Sequence, residues 1–344
     1  MKTVCVIVVW IGKFRKDFSI WLNSIEKNPS VDFYVFTDQE FPQEIPSNVC
    51  FVRSTLDDVR TKFEENLKMN VRLNKPYKLC DYKPIWWMLM DDRLFDYDYW
   101  GYCDMDMVFG DIRKFLTDDF LDKYDKIFDR GYFTLYRNTE EMRNLYKRSL
   151  DKDNEAYPYD KVFQTPYSCY FDEFMGMGIL SWKYKKAYVD QLDEKMIQDP
   201  DWKRLEFSSY MSEKKSVFHW ENGKLYRVDV DNHGRIAEPG SNDDKGEEQL
   251  LVHIQKRQLD LDTDMADANG LTSFWIYPNR YSGKKPEGEL YSDKDIEQYS
   301  KVVRISEKKK KKESLFENGM ISYIPHYFRT RRIRKYTKIY KGYF

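Results

Sequence analysis

The chain is poor in the residues that build stapled or metal-rich small domains, with five cysteines and four histidines in 344 residues. Cys5, Cys50, Cys80, Cys103 and Cys169 are odd in number, lie far apart and form no CxxC pair. That spacing argues against a disulfide framework or a structural zinc site, and fits small buried thiols in a reducing compartment. No Asn-x-Ser/Thr sequon has a permitted middle residue, which points the same way. Long apolar runs are also missing. The most apolar stretch near the start, residues 4–11, follows a single lysine and is far shorter than the roughly 20 residues a bilayer-crossing helix needs. It reads as a buried strand, and the expected compartment is the cytosol. Internal repeats are absent as well.

What is present is aromatic and charged. A charged fraction of 33% and a mean hydropathy of -0.77 would suit a disordered chain, but 27 Tyr, 22 Phe and 9 Trp supply ample core-forming surface. The net charge of -1 averages two unlike parts. From residue 301 onward there are 14 Lys+Arg against 3 Asp+Glu, and before it 43 against 55. An acidic body argues against a phosphate-tracking nucleic-acid surface, and the basic tail needs its own account.

The first hundred residues alternate strand and helix signals. Residues 4–10 form a β-branched run ending near Gly12, residues 17–27 carry Phe18, Trp21, Leu22 and Ile25 at helical spacing, and residues 31–36 are strand-like again. A third strand is expected at 48–53, a helix over 56–73, and another over 84–94 with Pro84 in its first turn. This βαβ grammar predicts parallel pairing in an α/β fold. Further strands are expected at 99–109, 131–136 and 250–254, a structured loop over 151–172, and a hairpin around Asn222-Gly223. The lysine run 308–312 reads as a solvated linker.

The most informative passage is Cys103-Asp104-Met105-Asp106-Met107. On a strand, Asp104 and Asp106 share a face while Met105 and Met107 enter the apolar side. Two carboxylates at a strand's carboxyl end suit Mg²⁺ or Mn²⁺, and in open parallel sheets ligands bind outside those ends. The competing reading is two solvated aspartates. In Lys78-Leu79-Cys80-Asp81-Tyr82-Lys83-Pro84, Asp81 suits a helix N-cap. Lys83, placed before Pro84, is expected to stay out of the helical region and point into a crevice. His253 stands on a strand ahead of Lys256 and Arg257, a basic pair suited to a diphosphate, although a strand histidine can equally be structural. Asp172 and Glu173 are candidates to bind a substrate hydroxyl or, in an inverting reaction, to act as general base; they equally suit the N-cap and first turn of a helix before Phe174.

Taken in order, Trp10-Ile11-Gly12-Lys13-Phe14, Asn28-Pro29, Thr37-Asp38, the 78–84 passage, Trp100 to Asp106 with Gly110-Asp111, Phe133-Thr134-Leu135-Tyr136 with Asn138, Phe171-Asp172-Glu173, His253 to Arg257 and Ile276-Tyr277-Pro278-Asn279 resemble the DUF6625 group of bacterial glycosyltransferase-like proteins. That group is associated with capsule and other surface-polysaccharide synthesis. More distantly the layout is similar to retaining GT-A glycosyltransferases of the glycogenin and polysaccharide-mannosyltransferase kinds. The resemblance implies a GT-A-like, Rossmann-type nucleotide-sugar-binding domain with a mixed central sheet over residues 1–300, and a basic helical tail over 301–344.

By the same resemblance, Asp104 and Asp106 would hold a Mn²⁺ or Mg²⁺ ion, with Asp104 also meeting the donor, and His253 would be the late metal ligand. Lys256 would contact diphosphate, Asp81 and Lys83 would face the donor sugar, and Trp10, Gly12 and Asp38 would line the nucleotide site. The implied partners are a nucleotide-sugar donor, with UDP expected, and a glycan or lipid-linked acceptor. Two departures stand out: Trp10 replaces a Tyr of the family pattern, and Tyr132 replaces a His. Residues 325–341 interleave aromatic and basic residues; they read either as an interfacial helix for an anionic membrane or as a solvated tail.

Two rival functions remain at this level. Asp104-Met105-Asp106-Met107-Val108 also fits the DxDxV nucleophile motif of haloacid-dehalogenase-type phosphatases, although that motif normally ends the first strand of its domain. A non-catalytic nucleotide-sugar-binding protein is the other.

Overall fold

In the computed structural model, the described residues are 1–148, 158–189, 196–208, 214–236, 246–257, 259–265 and 270–317. β1 (Val4–Trp10) is an interior strand of a seven-stranded sheet because its apolar run has no polar face to leave in water. Cys5, Ile7 and Val9 enter one core with Val59, Phe63, Tyr82 and Trp86. Val4, Val6 and Val8 enter the other with Trp21 and Ile25 of α1 (Phe18–Glu26).

Parallel neighbours flank β1: β2 (Asp32–Thr37) and β3 (Val49–Arg53) on one side, β4 (Tyr99–Cys103) on the other. Beyond β4 the sheet turns mixed. β7 (Phe133–Arg137) pairs antiparallel with β4, followed by β6 (Lys126–Ile127) and β8 (Tyr188–Val189), in the order β3-β2-β1-β4-β7-β6-β8. Gly101 permits the close β4–β7 approach, since a Cβ there would lie 2.1 Å from the Thr134 carbonyl. The expected α/β class with a mixed central sheet is what the chain adopts.

A three-stranded sheet joins β5 (Met107–Phe109), β14 (Leu251–His253) and β9 (Ile197–Gln198). A second seven-stranded sheet contains β13 (Glu247–Gln249), β12 (Lys224–Val230), β11 (Lys215–Glu221), β16 (Ser273–Ile276), β17 (Arg280–Ser282) and β15 (Asp260–Leu261), with β10 (Phe207–Ser208) on β11. The β11–β12 turn is the Asn222-Gly223 hairpin, both residues with positive φ as a type I′ turn requires. The Trp220 indole N–H donates to the Phe109 carbonyl at 2.9 Å and ties this sheet to β5.

Several local expectations are corrected. The helix expected over 56–73 ends as α2 (Leu56–Leu67), because Lys68 turns left-handed at φ 54. The helix expected over 84–94 is instead a 3₁₀ segment, Pro76–Leu89, with Pro84 inside it, followed by a second, Asp91–Asp96. Pro84 has no N–H to continue an α ladder, and short 3₁₀ turns accommodate it. Lys83 therefore lies within a helical segment and not outside one. The strand expected over 99–109 breaks between β4 and β5, so Asp104 and Asp106 flank a bend and do not alternate along a strand. There the Asp104 N–H donates to the Tyr132 carbonyl at 2.8 Å, and the Ile254 N–H to the Asp106 carbonyl at 2.7 Å. The bend thus passes the chain from pairing beside β7 to pairing beside β14.

The lysine run 308–312 lies inside a helix, Asp293–Glu317, which also crosses residue 300 without a break. The tail segment 325–341 lies outside the described residues. No helix among the described residues is long and apolar enough to cross a membrane.

Asn28 shows how the loops are tied to the site-bearing strands. Its side-chain amide donates to the Ser24 and Gly110 carbonyls, both at 3.0 Å, and its Oδ1 accepts from the Ile112 N–H at 2.8 Å. Asn28→Ala strands three buried backbone groups, and a loss of about 2 kcal/mol is expected in urea unfolding.

Candidate functional site

Lys83 is 2% exposed, and its ammonium lies 2.7 Å from Asp104 Oδ1 and 3.5 Å from Asp172 Oδ2. It also donates to the Gly131 carbonyl at 2.8 Å, over the flanking faces of Trp86 and Tyr102. Burial opposes its charge, but Asp104, with Cys80 and Asp172 adding to it, raises its pKa well above the ordinary lysine value. Gly131, at φ +84, is required here because a Cβ would stand 2.7 Å from Asp172 Oδ2.

The carboxylates flanking the bend face different neighbours. Asp104 is 34% exposed; burial raises its pKa, and neighbouring Asp106 opposes part of the relief that Lys83 supplies. At Asp106, burial is outweighed by His253 and then Arg15, and the pKa is lowered. His253 Nε2 lies 3.4 Å from Asp106 Oδ1, an oxygen that is buried and has no hydrogen-bond partner. Its other nitrogen, Nδ1, lies 3.0 Å from Asp199 Oδ1. Burial works against charge on His253, yet Asp106 and Asp199 push it up to about 10. Tyr132 stacks on this imidazole with ring centroids 4.0 Å apart, so the position where the family pattern has His supports the histidine's face.

Asp104, Asp106 and His253 each offer a ligand atom, all within 4.8 Å of one another. The set fits a divalent cation on three grounds: two hard oxygens and an imidazole, an orphaned buried acceptor in Asp106 Oδ1, and an Nδ1 already engaged so that Nε2 faces the carboxylates.

The remaining predicted residues separate into two groups. Asp81 is buried and spends its carboxylate on Lys78 Nζ (2.7 Å), the Cys169 N–H (2.9 Å) and the Phe171 N–H (3.1 Å). It anchors the loop that carries Asp172 and Glu173 and does not present itself as an N-cap. Asp172 is buried against Lys83, and burial raises its pKa well above the carboxylate range. Glu173 is less enclosed; burial, helped by Asp81 and Asp129 against Lys83 and Arg130, raises it to about 7. The two acids precede a π-helical turn, Phe174–Gly178, a geometry often found at functional sites.

At the carboxyl ends of β1 and β2, the Gly12 N–H donates to Asp38 Oδ1 at 2.8 Å. Gly12 has φ +102, and a Cβ there would meet nothing within 4 Å, so its backbone stands open to an approaching ligand. Burial is outweighed at Asp38 by hydrogen bonds from Gln39 and Gly12, which lower its pKa. Trp10 is half-buried, its indole N–H donating to the Lys13 carbonyl at 3.2 Å. The 256–257 pair splits. Lys256 is exposed with its ammonium 4.7 Å from the Trp202 ring centroid, while the Arg257 guanidinium is buried on the carbonyls of Leu205, Asp201 and Arg204. Arg257 is thus a structural cation, which corrects the expectation of a paired diphosphate site.

Two residues escaped the sequence reading. Asp199 follows a two-residue strand with no periodic signal. Arg15 lies in the loop after β1, where it forks onto Asp17 at 2.9 and 3.0 Å and donates to the Arg257 carbonyl.

Residues 6–285 match the family described as a family of unknown function, DUF6625, and the chain belongs to it. No curated protein matches the chain. Among solved structures it is similar to the galactosyltransferase LgtC in complex with donor and acceptor sugar analogs, at 11% identity and a TM-score of 0.30, covering 57% of this chain and 76% of that one. It is also similar to the glycosyltransferase GlyE of Streptococcus pneumoniae TIGR4, at 12% identity and a TM-score of 0.27, covering 56% of this chain and 46% of that one. Likenesses at this distance assign no residue roles.

Replacing Lys83 by the similarly shaped Met leaves Asp104 and Asp172 facing each other without a cation. Lys83→Met is expected to cost about 3 kcal/mol at pH 7. The cost shrinks toward pH 4 as those two carboxyls, whose pKa values are raised, take up protons; chemical unfolding at the two pH values measures it.

Proposed function

We propose that the protein is a metal-dependent glycosyltransferase of the GT-A type, moving a sugar from a nucleotide sugar to a glycan or lipid-linked acceptor in surface-polysaccharide synthesis. The observation that carries this reading is the orphaned Asp106 Oδ1 opposite His253 Nε2, with Asp104 beside it and the buried Lys83 ammonium behind. In this reading Asp104, Asp106 and His253 hold Mn²⁺ or Mg²⁺, the imidazole favouring Mn²⁺. When bound, the ion supplies Lewis-acid neutralisation of charge on the departing diphosphate. The resemblance to glycogenin-type and polysaccharide-mannosyltransferase enzymes supports a UDP-linked donor and retention of configuration.

The chain's own residues divide the remaining work. Trp10 supplies a stacking face for the nucleobase, and Gly12 lets the backbone approach the nucleotide, with Asp38 holding that loop. Lys83 keeps Asp104 in place and adds fixed positive charge beside the transferring group. Lys256, exposed on the loop after β14, contacts the diphosphate in this reading. Glu173, with a pKa near neutrality, is the better of the two acids to hydrogen-bond and orient the acceptor hydroxyl. Asp172 is committed to Lys83. The phosphatase reading is not favoured: the DxDxV motif follows β4, the fourth strand of its sheet, whereas that motif normally ends the first strand of its domain.

Asp106→Ala is expected to lower Mn²⁺-dependent turnover at least ~10³-fold, as loss of a principal charge-stabilising group does, while the thermal unfolding transition is retained. Nucleoside diphosphate released from a panel of nucleotide sugars is the measurement. Phosphate released from sugar phosphates would instead mark a phosphatase, and binding without turnover a binding protein.

Glu173 yields a second test. Its folded pKa of about 7 exceeds the ordinary 4.5, so its contribution to stability is complete below the unfolded value and is lost as pH rises through about 7. Glu173→Gln is therefore expected to raise Tm by a few degrees at pH 8 and to leave it unchanged at pH 4. Turnover falls about 100-fold with donor affinity unchanged if Glu173 orients the acceptor hydroxyl.

A further inference from the structure

We propose that Asp199 is a positioning residue that fixes which nitrogen of His253 faces the metal site. The inference rests on the metal-dependent reading above and names the residue that prepares its histidine.

Three observations converge. β9 and β14 pair in parallel with Leu251 opposite Ile197 and Val252 opposite Gln198. One further step along that register brings Asp199 beside His253, where Oδ1 lies 3.0 Å from Nδ1. On the other edge, β5 pairs antiparallel with β14, with His253 opposite Met107, so Asp106 arrives on the Nε2 side at 3.4 Å. The small sheet thus sets a row, Asp199 to His253 to Asp106, with the imidazole in the middle. Finally, Gln255 adopts a left-handed backbone, φ 58, and its side-chain amide donates to the same Asp199 Oδ1. A non-glycine residue rarely holds that conformation, and here it aims a donor that holds Asp199 in turn.

The chemistry follows from imidazole having one donor and one acceptor nitrogen when neutral. A carboxylate accepting from Nδ1–H leaves the Nε2 lone pair for the metal, prevents the ring from rotating and raises its basicity as a ligand. Tyr132, stacked on the ring face, limits tilt but cannot choose between the two nitrogens. Asp199 does.

The probe is Mn²⁺ titrated into the full-length protein without nucleotide sugar, with free ion read by electron paramagnetic resonance. Asp199→Ala is expected to weaken Mn²⁺ binding about 10- to 100-fold. Asp199→Asn recovers most of that loss, because its amide oxygen still accepts from Nδ1. His253→Ala weakens binding at least as much as Asp199→Ala, and in that background Asp199→Ala adds less than about twofold, since the two act as a unit. Asp199→Ser carries the comparison if the alanine variant fails to fold. Unchanged affinity in Asp199→Ala with weakened binding in His253→Ala overturns this inference alone, as does full additivity in the double variant. Unchanged affinity in His253→Ala, or no Mn²⁺ binding by the wild type, overturns the metal reading itself and this inference with it.

Discussion

A lysine ammonium at 2% exposure needs anionic partners within a few ångströms, because an unpaired charge inside a protein costs far more than a fold can spare. Lys83 meets that requirement with Asp104 and Asp172, and much of the surrounding architecture is the geometry that makes the meeting possible. The three residues belong to the 3₁₀ segment Pro76–Leu89, the bend after β4, and the loop before the π-helical turn. Charge compensation therefore locks three otherwise independent segments into one site wall. The neighbouring pair Lys78–Asp81 repeats the device one 3₁₀ turn away, with Asp81 gripping the Cys169 and Phe171 N–H groups. Between them, two buried cations settle where the acidic loop lies.

The small β5-β14-β9 sheet is the second organiser. It takes the chain after its bend and pairs it with a strand from far along the sequence. That pairing brings His253 to Asp106 and Asp199 to His253, so the carboxylates and imidazole converge without a continuous motif. The second large sheet, docked through Trp220 on the Phe109 carbonyl, buttresses this arrangement from behind. Arg257, on the loop after β14, contributes in the same structural sense by capping the carbonyls of Asp201, Arg204 and Leu205.

Much of the first half was legible because its signals are local. The β-branched run of β1 is apolar on both faces, and a central strand is the place for such a run. Asn222-Gly223 permits positive φ at two successive positions, which selects the hairpin whatever surrounds it. Other elements resisted because their state depends on distant partners. Residues 84–94 carry an acceptable α-helical pattern, yet Pro84 and the buried contacts of Lys78, Asp81 and Lys83 select a 3₁₀ path. Arg257 beside Lys256 looks like a phosphate-binding pair, and only the carbonyls it meets reveal that it serves the fold.

Composition, spacing and residue type on their own determined the α/β class and the central parallel strands, and they marked Asp104 and Asp106 as candidate metal-binding carboxylates; the family resemblance added His253 to them. The class and the strands are local properties, carried by side-chain periodicity. Tertiary structure alone decided that the two aspartates flank a bend, that Lys83 is an internal counter-ion, that Asp81 anchors a loop, and that Asp199 stands behind His253. Each of these depends on a pairing between segments far apart in the chain. Electrostatic compensation and strand register become definite only when such segments meet.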